Sequence, residues 1–150
     1  MYLMKHVILP VVFALIAAVG NAFFALAQKK GGASENGLLF VGLSALISFG
    51  FAVLFSPLAG GVHIGQLVKS NGKYILLSGG GLFLTYLGFN LLYSKFGVSQ
   101  YVLYAVISII TTTLIVGVWW LKEPMNIFHK VAICLSVLAV LFFSYGQSRL

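Results

Sequence analysis

Glu35 and Glu123 are the only acidic residues in this 150-residue chain, which has no aspartate. Both glutamates fall in polar hinges, so no paired carboxylates are available for general acid–base work. The remaining titratable or nucleophilic candidates, His6, His63, His129 and Cys134, are too scattered for metal-ligand spacing. Nor is there a CxxC pair, a phosphate-cradling glycine loop or a Ser/His/Asp set. Catalysis needs bases and nucleophiles that this chain lacks, so the expectation is no enzyme, no cofactor and no metal. His63 and His129 lie near hinge boundaries and read as solvated or headgroup-facing side chains. Cys134 reads as a small buried hydrophobe.

What remains for recognition is neutral. Asn21, Phe24 and Gln28 recur with Ala17 at three- and four-residue steps. So do Phe83, Tyr86, Asn90 and Tyr93 with Gly79, and Tyr101, Tyr104, Ser108, Thr111, Thr112, Ile115 and Trp119. On helices, each set forms one face. From these faces Asn21, Tyr86, Asn90, Tyr104, Ser108 and Trp119 are the expected lining of a substrate cavity. They offer neutral hydrogen bonds and aromatic stacking, which suits a neutral, zwitterionic or phosphate-bearing ligand better than a lone cation. The alternative is that the same polar faces only bond helix to helix.

The elements that must carry these faces are five apolar runs, Val7–Ala27, Leu38–Leu58, Tyr74–Tyr93, Ser99–Leu121 and Ile127–Gly146. Each is about 20 residues long, enough for a helix to cross roughly 30 Å of hydrocarbon. Backbone groups in lipid must be satisfied internally, and continuous apolar runs without alternation favour helices over a barrel. The expected fold is therefore an all-α integral membrane protein with five transmembrane helices in a single domain spanning residues 1–150. The N-terminal run resembles a secretory signal but is longer than a usual signal core, and it is read as a retained first helix. Tyr2, Trp119, Trp120 and Tyr145 fall near helix ends, as interfacial aromatics do.

Between the runs lie short hinges. Gln28–Gly37 is flexible and polar, and Leu58–Lys73, the longest, reads as an interfacial amphipathic turn. Lys122–Asn126 is the last, where Pro124 is expected to start the fifth helix and Glu123 to sit as an anion at its N-terminus. Ser44, Ser48 and Ala52, with Gly42 and Gly50, form small-residue rows that read as packing surfaces of the second helix.

The chain is 61% hydrophobic and 7% charged, with a net charge of +7. The basic residues are spread among helix ends, which fits anchoring beside anionic headgroups and excludes nucleic acid as a partner. Lys5, Lys69, Lys73, Lys122 and Lys130 fall on one side of a five-span arrangement, and Lys29, Lys30, Lys95 and Arg149 on the other. Five against four is a weak orientation signal, compatible with one fixed topology or with copies inserted both ways. No acidic residue lies within a span, which argues against proton-driven exchange of cations.

The segment Gly97–Gly146 resembles the closing half of an EamA-type domain of the drug/metabolite transporter superfamily. The resemblance rests on Tyr104-Ala105 early in a helix, Glu123 followed by Pro124 at the next hinge, and small residues Ala132 and Ala139 along the last helix. Gly20-Asn21-Ala22 leading to Lys29-Lys30-Gly31 is compatible with that domain's first helix. The small multidrug-resistance branch would carry a glutamate where Asn21 stands here. Single-repeat relatives such as the aminoarabinose-lipid flippase subunits are more similar around Glu123-Pro124. The resemblance implies a transporter or flippase of a small metabolite or a lipid-linked sugar or phosphate substrate. It also implies one repeat in place of the usual two, hence a homodimer, antiparallel or otherwise, or a heterodimer with a paralogue. Membrane lipids are the other expected partner, and a bacterial or archaeal cytoplasmic (inner) membrane is the expected location. The competing expectation is a non-transporting accessory subunit that stabilises or recruits a membrane enzyme or transporter.

Overall fold

Helix-forming residues and breakers together set the boundaries of five spanning elements in the computed structural model, which describes residues 8–32 and 35–149. The first helix, α1 (Leu9–Gly31), has Pro10 in its opening turn, where a missing N–H costs nothing. Lys29 and Lys30 close it, favoured by the helix dipole. It runs four residues past Ala27 because Gln and Lys are good helix formers that need only leave the hydrocarbon, not the helix. Tyr2, Lys5, His6 and Val7 lie outside the described residues, as do Ala33 and Ser34 of the first hinge.

The second helix, α2 (Gly37–Phe55), starts at Asn36, whose side chain accepts the Leu39 N–H at 3.0 Å. It tightens into a 3₁₀ turn over Ser56–Leu58, where Pro57 ends the α pattern. Gly60, at φ +152°, then turns the chain, a conformation open to glycine.

The third helix, α3 (Ile64–Lys95), corrects the sequence reading. The segment expected to be a long connection is instead the first two turns and more of a 32-residue helix, leaving only residues 59–63 as a loop. Gln66, Lys69 and Lys73 end the apolar run without ending the helix, because polarity and helix propensity are separate properties. At 1.5 Å per residue this helix is about 48 Å long, well beyond the roughly 30 Å hydrocarbon core.

A 3₁₀ turn at Val98–Gln100 leads into α4 (Tyr101–Ser108), which passes into a π-helical segment over Ile109–Trp120. A single regular α-helix was the expectation here. The run Ile109, Ile110, Thr111, Thr112, Thr113, Ile115 and Val116 is rich in β-branched side chains, which lower α-helix propensity, and the chain departs from the regular α-helix along it. The last helix, α5 (Ile127–Gln147), begins at Asn126, not at Pro124.

The chain forms two compact units, Met1–Val98 and Ser99–Leu150. In the first, α3 packs on both α1 and α2, and in the second α4 packs on α5. Among the described residues the structure is all-helical, and five helices are long and apolar enough to cross a membrane. The buried apolar residues are few: Ala25, Val41, Phe89, Tyr93 and Val106. Long rows of Leu, Ile, Val and Phe face outward along α1, α2, α3 and α5, and Ile107, Ile110, Ile115 and Val116 do so on the fourth span. Water would not tolerate such a surface, whereas lipid tails are as apolar as leucine. This is an integral membrane protein.

Candidate functional site

The polar centre of the first unit is built where α1 and α3 run side by side in parallel. Phe24 meets Tyr86 with ring centroids 5.1 Å apart, and one turn later Gln28 meets Asn90. Both pairs share an offset of 62 residues (86 − 24 and 90 − 28), so one register holds along the seam. Asn90 donates to Gln28 Oε1 at 2.9 Å and to the Gly32 carbonyl at 3.4 Å. The two amides are 4% and 1% exposed. Among the described residues Gln28 Nε2 has no hydrogen-bond partner.

Rings close the seam on one side. Phe24 lies edge-on to Phe89 at 5.6 Å, and Phe89 stacks on the buried Tyr93 at 5.1 Å and 15°. Such pairs each contribute about 0.5–1.5 kcal/mol beyond their buried area. Glycines close the other side. A Cβ on Gly37 would stand 2.7 Å from Asn90 Oδ1, and one on Gly32 would overlap Asn90 Nδ2. The first hinge therefore lies directly over the amide pair, where only glycine lets the backbone approach. At the rim, Lys29 Nζ donates to the Ser94 carbonyl at 3.5 Å.

Of the expected cavity residues, Tyr86 and Asn90 meet α1 in this seam. Asn21 is half-buried on the face that carries Phe24 and Gln28, without a side-chain hydrogen bond among the described residues. Gln28, Phe89, Gly32 and Gly37 complete the centre. Gln28 belongs to the α1 face by its spacing, although it also opens the first polar hinge. The glycines looked like ordinary hinge residues.

Tyr104, Ser108 and Trp119 belong to the second unit. Tyr104 is half-buried, its ring 5.5 Å from that of Tyr101, and Ser108 is half-buried near the end of α4. Trp119 is 71% exposed, beside Trp120 and Lys122 on a shallow surface. The eleven-residue step from Ser108 to Trp119 closes about three α-turns at 3.6 residues each. It falls short of three π-turns, so the π segment removes the alignment read from the sequence.

The hinge residues also differ from expectation. Glu123 is outside the first turn of α5 and folds back on the preceding segment. Its N–H donates to the Gly117 carbonyl at 3.0 Å, and a Cβ on Gly117 would stand 3.1 Å from its Oε2. Lys122 makes this reversal possible with φ 59°, in the left-handed region. Pro124 lies in the non-helical stretch before the cap. The start of α5 is satisfied by a capping box: Asn126 Oδ1 accepts the His129 N–H at 3.0 Å, and His129 Nδ1 accepts the Asn126 N–H at 3.3 Å. His129 is thus a local structural residue.

Among the described residues no group of three His, Cys, Asp or Glu is placed to hold a metal ion. No protein family, no curated protein and no solved structure matches this chain.

Proposed function

We propose that this protein is a small membrane transporter or flippase of the drug/metabolite transporter type. It would move a small metabolite or a lipid-linked sugar or phosphate substrate as a dimer in a cytoplasmic membrane. The observation that carries this reading is the α1–α3 seam, where neutral amides and stacked aromatics lie together within apolar helices. Polar side chains buried among apolar helices are costly unless paired, and a few convergent polar groups in apolar surroundings are what ligand sites are built around. A path lined by Asn21, Tyr86 and Asn90 would select for hydrogen bonding and stacking without a fixed negative charge, and Tyr104 and Ser108 offer the same chemistry within the second unit. The sequence resemblance over Gly97–Gly146 supplies the transporter class, and the single repeat that it implies supplies the dimer.

One observation favours a second reading. Asn90 is already satisfied by Gln28 and Gly32, as a residue that only locks two helices together would be. The alternative is an accessory subunit that stabilises or recruits a membrane enzyme or transporter. Purified protein in liposomes separates the two, assayed with fluorescent lipid analogues by dithionite quenching and with a panel of labelled sugars and sugar phosphates. Transport that falls in Asn90→Leu and Tyr104→Leu while both variants stay folded supports the transporter. No movement of any probe by the intact protein, alone or with a paralogous subunit, assigns it the accessory role.

A further inference from the structure

The end of α2 and the start of α3 enclose a groove of about 760 Å³, within the range of ligand sites, that the seam does not use. Its chemistry is segregated. Phe49, Ala52, Val53 and Ile75 form an apolar wall, and His63 and Gln66 stand at the loop end. Among the described residues neither His63 nor Gln66 has a side-chain hydrogen-bond partner. Lys69 follows Gln66 and Lys73 follows Ser70 at three-residue steps on α3, which places both lysines beside the groove but outside its lining, with Lys73 Nζ 4.8 Å from the centre of the Tyr74 ring. The whole acidic complement of the chain, Glu35 and Glu123, lies outside this segment.

The length of α3 fixes the depth of this site. Its apolar part from Tyr74 onward supplies a span, so the turns carrying Gln66, Lys69 and Lys73 project to the headgroup region, which adds about 10–15 Å to the hydrocarbon core. The apolar wall therefore faces acyl chains, while the donors and the two cations face headgroups. We propose that the groove is a binding site for an anionic glycerophospholipid. Its acyl chain lies along Phe49, Val53 and Ile75, and its phosphate is held by the Gln66 amide and the His63 ring between the charges of Lys69 and Lys73. The proposal is independent of the transport reading, since it concerns retention of lipid and not its movement.

The test is lipid retention by the purified, delipidated full chain in a non-ionic detergent, read by native mass spectrometry. The probes are dioleoyl phosphatidylglycerol, dioleoyl phosphatidylcholine and glycerol 3-phosphate. Phosphatidylglycerol should be retained well above phosphatidylcholine, and glycerol 3-phosphate should neither bind nor displace it. Lys69→Gln and Lys73→Gln should each weaken phosphatidylglycerol retention about fivefold. Both lysines are exposed, so these variants leave the helix packing intact, and Lys95→Gln at the other end of α3 should change nothing. Ala52→Phe, which fills the apolar wall, should lower retention of both lipids. Equal retention of the two lipids overturns the proposal, as does an equal loss in Lys95→Gln, which would report a general surface charge. Displacement by glycerol 3-phosphate overturns it too, in favour of a free phosphate site.

Discussion

Asn90 and Gln28, 62 residues apart in sequence, join their side-chain amides across 2.9 Å between two parallel membrane helices. At 1% and 4% exposure neither residue has water to fall back on, so the pair fixes both the rotation and the register of α1 against α3. In this register the Phe24 ring meets Tyr86 at a 34° tilt and Phe89 edge-on.

Replacing either amide alone should cost more than replacing both. Gln28→Leu or Asn90→Leu leaves a buried polar group unmatched and should destabilise by about 1–3 kcal/mol. The double variant should recover part of that loss, with a coupling of about 0.6–1.7 kcal/mol. Thermal unfolding of the four proteins in one detergent measures the cycle. Strictly additive losses would show that the amides do not act as a pair.

The hinge glycines should behave unlike glycines elsewhere. Gly37→Ala places its Cβ 2.7 Å from Asn90 Oδ1, and Gly32→Ala overlaps the same amide, so each should destabilise by about 1–3 kcal/mol. Gly42→Ala on α2 meets nothing within 4 Å and should be neutral or stabilising by about 0.5–1 kcal/mol. The same melting experiment ranks them. A Gly37→Ala protein as stable as Gly42→Ala would mean that the hinge does not press on the amide pair.

Around Glu123 the backbone, not the carboxylate, should dominate stability. Lys122 adopts φ 59°, which costs a non-glycine residue roughly 1–2 kcal/mol, so Lys122→Gly should raise the melting temperature. Asn126→Ala should lower stability by about 1 kcal/mol through loss of the α5 cap. Amide hydrogen exchange at Ile127, Phe128 and His129 should speed up in that variant and stay unchanged in Lys122→Gly. Unaltered exchange in Asn126→Ala would remove the capping box from the account.

The fold class and the approximate spans were legible because hydrophobicity over 20 residues is a local property. Length against the hydrocarbon thickness is enough to recognise a spanning helix. The α1 face of Asn21, Phe24 and Gln28 was equally legible, since helical spacing alone puts these residues together. The ends of the helices were less so. Lys29, Lys30 and the stretch Ile64–Lys73 are polar and still helical, and hydropathy reports where lipid stops rather than where hydrogen bonding stops.

Other features belong to tertiary structure. Nothing local pairs Gln28 with Asn90 or distinguishes Gly32 and Gly37 from flexible linker glycines, because the 62-residue register is set by how two helices pack. The groove beside Lys69 and Lys73 exists only once α2 and α3 are packed together. The left-handed Lys122 that turns Glu123 back onto Gly117 arises from the three-dimensional course of the backbone. Sequence by itself determined that this chain is a set of membrane helices with neutral polar faces. Packing decided which of those faces meet, because side-chain periodicity specifies a direction around one helix but not the partner that lies there.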